Sequence, residues 1–267
     1  MSFASLSANA HIYVANSASG TIGEYNLDGT IVNENLVTGL SNPAGLAATD
    51  SNLYVVDRPF SSQSYIGKYN LDGTTVNSSF ISGLNGPTGL VISGGQIFVK
   101  DASVHTLGEY NLDGTTVNAS LITGLSGSGG DFTVSGSNIY IGGNGVDNLS
   151  VYTTAGTLVN ANLINGLFTS RGVAVSDTSI YIARGAQGNV AQYNLDGTLV
   201  NANLITGLGN AGYMKILGSS LYVVDSLNGN VGEYGLDGTI INANLISGLS
   251  YPIGIVVTAA VPESTPT

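Results

Sequence analysis

Asp131, Arg171, Arg184, Tyr213 and Lys215 are the residues through which this 267-residue chain is best equipped to do chemistry. Lys and Arg together number six: Arg58, Lys68, Lys100, Arg171, Arg184 and Lys215. A guanidinium presents a planar fork of donors that matches a carboxylate or phosphate. A tyrosine adds apolar area with a polar tip, suited to the face of a sugar, and Phe168 and Tyr251 would extend such a wall. This is equipment for binding a small anionic or polyhydroxylated ligand. Catalytic equipment is thin: there are two histidines, His11 and His105, and no cysteine. No Ser-His-Asp set and no pair of glycosidase carboxylates can be assembled. The expectation is therefore no catalytic residue, no metal ligand and no cofactor.

What would bring these residues together is a repeat. A turn glycine recurs at Gly29, Gly73, Gly114, Gly156, Gly197 and Gly238, in steps of 44, 41, 42, 41 and 41 residues. Self-similarity at this period marks a repeat architecture. Each unit carries alternating or apolar runs such as Leu53-Tyr54-Val55-Val56, and Asp-Gly between two runs signals a two-residue hairpin, in which both central residues take positive φ. Four short strands in each of six units make a β-propeller. Named A to D from the centre outward, the strands of one unit are 45–49, 53–57, 65–71 and 74–81. The chain begins with a strand B, 12–16, and ends with a strand A, 253–258. The expected fold is thus an all-β, six-bladed propeller of four antiparallel strands per blade, closed by the C-terminal strand A pairing with the N-terminal strands B-C-D. Residues 1–10 would be a signal-peptide remnant or disordered N-terminus, 11–258 the propeller, and 259–267 a Pro/Thr-rich tail.

Residues common to all units are scaffold; those that differ carry individuality. Asp28, Asp72, Asp113, Asp196 and Asp237 stand one per hairpin, too few for a calcium loop, and unit four has Ala155-Gly156 instead. Asn33, Asn77, Asn118, Asn160, Asn201 and Asn242 read as side chains bonding backbone at a bend of the outer strand. Asn16, Asp57, Asp101 and Asp225 end strand B and are expected to cap the following turn. His105 shares a column with Gly20, Gly188 and Gly229 and reads as a turn residue, while His11 starts the first strand B on the opposite face. In strand A the third column reads Gly45, Gly89, Asp131, Gly172, Tyr213, Gly254. Arg171 precedes that column, Lys215 lies two positions on, and Arg184 replaces the usual Asp or Asn at the end of strand B. The extra residues within "RPFSSQS" and "SGSGGD" fall in B–C and D–A loops, which share one face. Differences, insertions and positive charge converge on that face, where a cationic mouth in an anionic body would focus an anionic ligand.

Charged residues make up 9 % of the chain and the net charge is -11. That excludes nucleic acid and anionic membrane surfaces as natural partners. The longest mainly apolar run, 252–261, is about half of the roughly 20 residues a membrane helix needs, so no membrane insertion is expected. Ala8-Asn9-Ala10 has the small-x-small pattern of a signal-peptidase site.

The segments "GPTGLVISGGQIFVKD" and "NPAGLAATDSNLYVVD" resemble NHL-repeat and six-bladed lactonase-like propellers. That resemblance implies the propeller fold over residues 11–258. In such lactonases channel carboxylates and an amide hold a metal; strand A here offers one acid, Asp131, with Tyr213 and Lys215 where further ligands would stand. Val261-Pro262-Glu263 is similar to the start of a PEP-CTERM sorting signal of secreted bacterial proteins. The resulting expectation is a secreted or cell-surface bacterial propeller. It would act as a monomeric binding or scaffold module for a small anionic or carbohydrate ligand at the channel mouth, or for an extracellular polymer or protein. The alternative is a hydrolase or lyase acting there on a lactone or sugar acid.

Overall fold

A computed structural model of the chain describes residues 10–60, 63–125, 130–143, 148–167 and 170–259. Strand A of blade one is the last element, β24 (Pro252–Val257). It is followed outward by β1 (His11–Asn16), β2 (Thr21–Asn26) and β3 (Ile31–Val37). Blade two is β4 (Pro43–Ala48), β5 (Asn52–Asp57), β6 (Ser64–Asn70) and β7 (Thr75–Leu84). Blade three is β8 (Pro87–Ser93), β9 (Gln96–Asp101), β10 (Thr106–Asn111) and β11 (Thr116–Thr123). Blade four is β12 (Phe132–Ser135), β13 (Asn138–Gly142), β14 (Leu149–Thr153) and β15 (Leu158–Ile164). Blade five is β16 (Ser170–Val175), β17 (Ser179–Arg184), β18 (Asn189–Asn194) and β19 (Leu199–Ile205). Blade six is β20 (Ala211–Leu217), β21 (Ser220–Asp225), β22 (Asn230–Gly235) and β23 (Ile240–Ile246).

The ring closes between the two ends of the chain. β24 pairs antiparallel with β1, Ile12 opposite Val257 and Val14 opposite Ile255. The apolar residues of each blade pack against those of the next. Tyr54, Val56 and Ile66 of blade two meet Leu90, Ile97 and Val99 of blade three. Ile12, Val14 and Ile255 of blade one meet Tyr222, Val224 and Val231 of blade six. No blade can bury its faces alone, which is why the repeat has to close. Among the described residues no helix is long and apolar enough to cross a membrane.

One expectation about the turns needs correcting and another extending. In the Asp-Gly hairpins only the glycine takes positive φ, for example Gly29 at 83°. The loop is three residues long. Gly29 N–H donates to the Asn26 carbonyl, Asn26 N–H to the Thr30 carbonyl, and Asp28 Oδ1 accepts from Thr30 N–H and Oγ1. This is a right-handed turn followed by one left-handed residue, so Asp28 needs no strained backbone. The glycine also fits against the neighbouring blade: a Cβ on Gly29 would lie 2.0 Å from the Leu245 carbonyl oxygen. The carboxylates that end strand B do cap the following turn, Asp57 taking the Arg58 N–H and Asp225 the Asn228 N–H and Nδ2, but they also reach sideways. Asp57 accepts from the N–H groups of Ser41 and Asn42, 15–16 residues earlier. Asp101 takes Asn85 and Gly86, and Asp225 takes Gly209 and Asn210. The end of strand B lies beside the start of strand A in the same blade, so its nearest unpaired donors belong to the loop leading into strand A.

The six asparagines do what their spacing suggests. In each outer strand the register slips, four residues opposing two; Glu24 faces Asn33 while Ile22 faces Val37. Asn33 Oδ1 accepts the Asn35 N–H at 3.1 Å, and Asn77, Asn118, Asn160, Asn201 and Asn242 repeat the bond. A bulge with its free N–H satisfied from within makes a poor template for another strand. That matters because these edges expose apolar pairs such as Ile31-Val32 and Ile240-Ile241. His105, at φ 58°, holds the left-handed turn position that Gly20, Gly188 and Gly229 occupy elsewhere.

Candidate functional site

The innermost strands leave very little room along the axis. A Cβ on Gly45 would lie 2.7 Å from Gly89 Cα, one on Gly172 2.3 Å from the Gly212 carbonyl oxygen, and one on Gly254 1.8 Å from that of Ala44. The glycine column of strand A is therefore a packing requirement: it lets six backbones converge. The two departures from it, Asp131 and Tyr213, are then the side chains that enter the axis. Tyr213, 9 % exposed, reaches from β20 to β8 and donates its hydroxyl to the Thr88 carbonyl at 2.8 Å. Blades six and three are opposite in the ring, so Tyr213 bars the channel.

Asp131, from the same strand-A column as Tyr213, is 4 % exposed, with Oδ2 lacking a hydrogen-bond partner. A Cβ on Gly89 would come within 3.0 Å of its Oδ1, so glycine there makes space for the carboxylate. Burial pushes the Asp131 carboxyl up to about 6, against the opposing pull of the Lys215 ammonium, the Phe132 N–H and the Lys100 ammonium. Lys215 lines a cavity of about 140 Å³ at the other end of the channel, with Leu46, Leu90, Ile92 and Val256. Lys100 is 1 % exposed and donates to the carbonyls of Gly130 and Gly142 at 2.6 and 3.4 Å. Its ammonium joins blades three and four beside the end of blade four's strand B. Burial lowers Lys100 to about 8, with Asp131 opposing.

Above the bar the character changes. Arg171 is exposed at the start of β16. Its stem runs over Gly185, whose Cβ would meet Arg171 Cδ at 2.7 Å and Asn210 Oδ1 at 2.6 Å. Arg58, half-buried, begins the loop after β5, and its Nε is buried without a partner. Burial raises the Tyr213 hydroxyl, as does Asp131; Arg58 and Arg171 pull the other way, so both guanidiniums act on this hydroxyl. Exposed apolar side chains ring the same face: Phe60, Val104 and Leu227 from B–C loops and Tyr251 before β24. Tyr251 is held at φ 51°, a strained backbone for a residue with a side chain.

The expected site residues thus divide. Arg171 and Tyr213 come together, with Asp131 beside Arg171 through its N–H bond to the Arg171 carbonyl, Lys215 further along the channel and Tyr251 on the upper face. Arg184 turns away: its Nε donates to Asn189 Oδ1 at 3.0 Å and its NH2 group to the Ala202 carbonyl, both within blade five. Phe168 lies outside the described residues, as do part of the "RPFSSQS" insertion, most of "SGSGGD" and both terminal motifs. Arg58, Lys100 and Thr88 stand out less in the sequence. Arg58 was visible in the insertion, but Lys100 acts through backbone carbonyls and Thr88 is itself an acceptor carbonyl, which no residue type announces.

A channel metal of the lactonase kind would need several oxygen donors converging. Among the described residues no three His, Cys, Asp or Glu side chains do so, and Asp131 already faces two ammonium groups. This donor set does not fit such an ion.

No protein-family model matches the chain, and no curated protein matches it in sequence. Solved structures do. One is a crystal structure of a nidogen/laminin complex, at 18 % identity and TM-score 0.76, covering 94 % of this chain and 99 % of that one. Another is a functionally unknown protein from Desulfotomaculum acetoxidans, at 18 % identity and TM-score 0.64, covering 92 % and 85 %. A gluconolactonase from Xanthomonas campestris follows at 14 % identity and TM-score 0.66, covering 80 % and 79 %. At these identities the likeness is one of fold, and the chain is a six-bladed β-propeller closed between its termini.

Proposed function

We propose that this is an NHL-like binding propeller, secreted or displayed at the cell surface and monomeric, whose upper face takes an anionic or sugar ligand. The observation that carries this reading is the Tyr213–Thr88 bar. It closes the axis beneath Arg58 and Arg171, so a ligand would rest on the mouth of the channel. Two guanidiniums would meet its carboxylate or phosphate, and the exposed rim of Phe60, Leu227 and Tyr251 would meet an apolar or polymeric body. The low charge of the chain and the Ala8-Asn9-Ala10 and Val261-Pro262-Glu263 patterns support the extracellular setting.

The test is a calorimetric panel of galacturonate, glucose 6-phosphate and acidic oligosaccharides against four variants. A charge-assisted bond contributes about 1.5–3 kcal/mol. Arg171→Ala and Arg58→Ala should each weaken the ligand that binds by about 10- to 100-fold, while Lys68→Ala and Arg184→Ala should not. Lys68 lies over the Tyr54 and Phe80 rings, away from this face. Equal binding by all four variants would remove the site.

The second reading, a hydrolase or lyase on a lactone or sugar acid, draws support from Asp131: a buried carboxyl with one free oxygen and a raised pKa. It predicts gluconolactone hydrolysis that Asp131→Asn abolishes without loss of fold.

A further inference from the structure

The face opposite Arg171 holds a cavity of about 440 Å³ between blades one and two. Its polar walls include His11, Tyr13, Glu24 and Asp50, and its apolar wall includes Leu71 and Val257. The volume lies within the range of about 300–1,000 Å³ of small-molecule sites. Neither Lys nor Arg lines it.

Comparison between blades shows what is special here. In blade six the matching carboxylate, Glu233, is satisfied locally. Ser220 Oγ donates to its Oε1 at 2.7 Å and the Tyr222 hydroxyl at 3.2 Å. In blade five the matching pair bonds with the donor reversed, Gln192 Nε2 donating to Ser179 Oγ at 3.1 Å. Blade one keeps the tyrosine, with the Tyr13 hydroxyl donating to Glu24 Oε1 at 3.0 Å. The serine, however, is replaced by His11. The imidazole Nδ1 lies 3.4 Å from Glu24 Oε1 and is buried without a hydrogen-bond partner. The His11 backbone is fixed by Thr258, through Thr258 Oγ1 at 3.0 Å and the Thr258 N–H at 2.9 Å. The Glu24 carboxylate, 9 % exposed, therefore borders open space with a weaker set of donors than its counterpart Glu233. Asp50 adds a second, exposed carboxylate from the A–B turn of blade two.

We propose that this cavity is a second binding site and that it takes a small organic cation, a protonated primary amine on a sugar-sized body. Glu24 and Asp50 receive the ammonium. The Tyr13 and Thr258 hydroxyls and the His11 ring bond the polar body, and Leu71 and Val257 cover its apolar side. A carboxylate withdrawn from water makes charge-assisted bonds stronger than those of a surface acid. The negative charge of the whole molecule draws a cation and repels an anion. A bare divalent ion is the poorer occupant, since these groups do not converge as a metal cluster.

The experiment titrates the full chain with glucosamine and, in parallel, with N-acetylglucosamine, which keeps the ring but not the charge, following heteronuclear NMR shifts. Glucosamine should bind, and N-acetylglucosamine at least 10-fold more weakly. Glu24→Gln should weaken glucosamine at least 10-fold and Asp50→Asn several-fold. Glu233→Gln, which alters the same hydrogen bond in a blade without this cavity, should bind as the wild type does. Should Glu24→Gln fail to fold, Asp50→Asn at its exposed position carries the test. No glucosamine binding, equal binding of the two sugars, or wild-type affinity in the Glu24 and Asp50 variants would overturn the proposal.

Discussion

The Tyr213 hydroxyl donates to the carbonyl oxygen of Thr88 at 2.8 Å, across the axis of the ring and 125 residues away in sequence. One side chain thereby ties blade six to blade three and closes the axis beneath a cationic mouth. Removing only the hydroxyl, in Tyr213→Phe, leaves the Thr88 carbonyl buried and unpaired. That should cost about 1–3 kcal/mol, seen as a lower urea midpoint at unchanged slope. A midpoint equal to that of the wild type would mean that water replaces the bond.

Asp131 makes stability depend on pH. Its folded pKa, about 6, lies above the ordinary value of 3.8. The stabilising contribution is therefore complete below the unfolded pKa and is lost as pH rises through 6. Between pH 7 and 4.5 the wild type should gain about 2 kcal/mol relative to Asp131→Asn. Paired urea titrations at the two pH values measure that difference; a pH-independent gap would show that Asp131 stays ionised in the folded ring.

Closure through β24 makes the ring cooperative. A chain ended at Tyr251 loses the strand opposite Ile12–Asn16 and exposes the faces of blades one and six, whereas a chain ended at Ala259 keeps it. Calorimetry should give the first a far lower melting temperature or no cooperative transition. Equal transitions for the two chains would rule out dependence on this closure.

The two kinds of aspartate separate scaffold from surface. Asp57 is fully buried; it accepts from the N–H groups of Ser41, Asn42 and Arg58 and from the Tyr65 hydroxyl. Asp57→Ala strands four part-buried donors around a fully buried carboxylate site and should cost at least about 3 kcal/mol. Asp28→Ala, in an exposed hairpin whose glycine supplies the left-handed residue, should barely move the melting temperature. Comparable losses in the two variants would contradict this division.

Much of the fold was legible because a propeller repeats its local chemistry. Gly29 and its five equivalents mark the hairpins, Asn33 and its equivalents mark the bulges, and the order of strands in the first and last units dictates closure between termini. What the sequence did not show was local geometry: Asp28 needs no positive φ, and Asp57 caps the loop before its blade as well as the turn that follows it. Both depend on which donors lie nearest once strands A and B are side by side.

The departures at Asp131, Arg171, Tyr213 and Lys215 were also legible, as breaks in columns of glycine and small residues. Their meaning was not. A sequence records that Tyr213 replaces a glycine, but only the converged backbones make it a bar across the axis, with a carbonyl as its partner. Arg184 broke its column as visibly as Arg171 did, yet its guanidinium is taken up by Asn189 and Ala202 in its own blade. His11 looked like an ordinary strand start until its contact with Glu24 placed it in a cavity. Strand order and turn position follow from short-range residue types, because they repeat with the chain. Which side chain meets which across the ring is decided by distances between blades, and those exist only once the ring has closed.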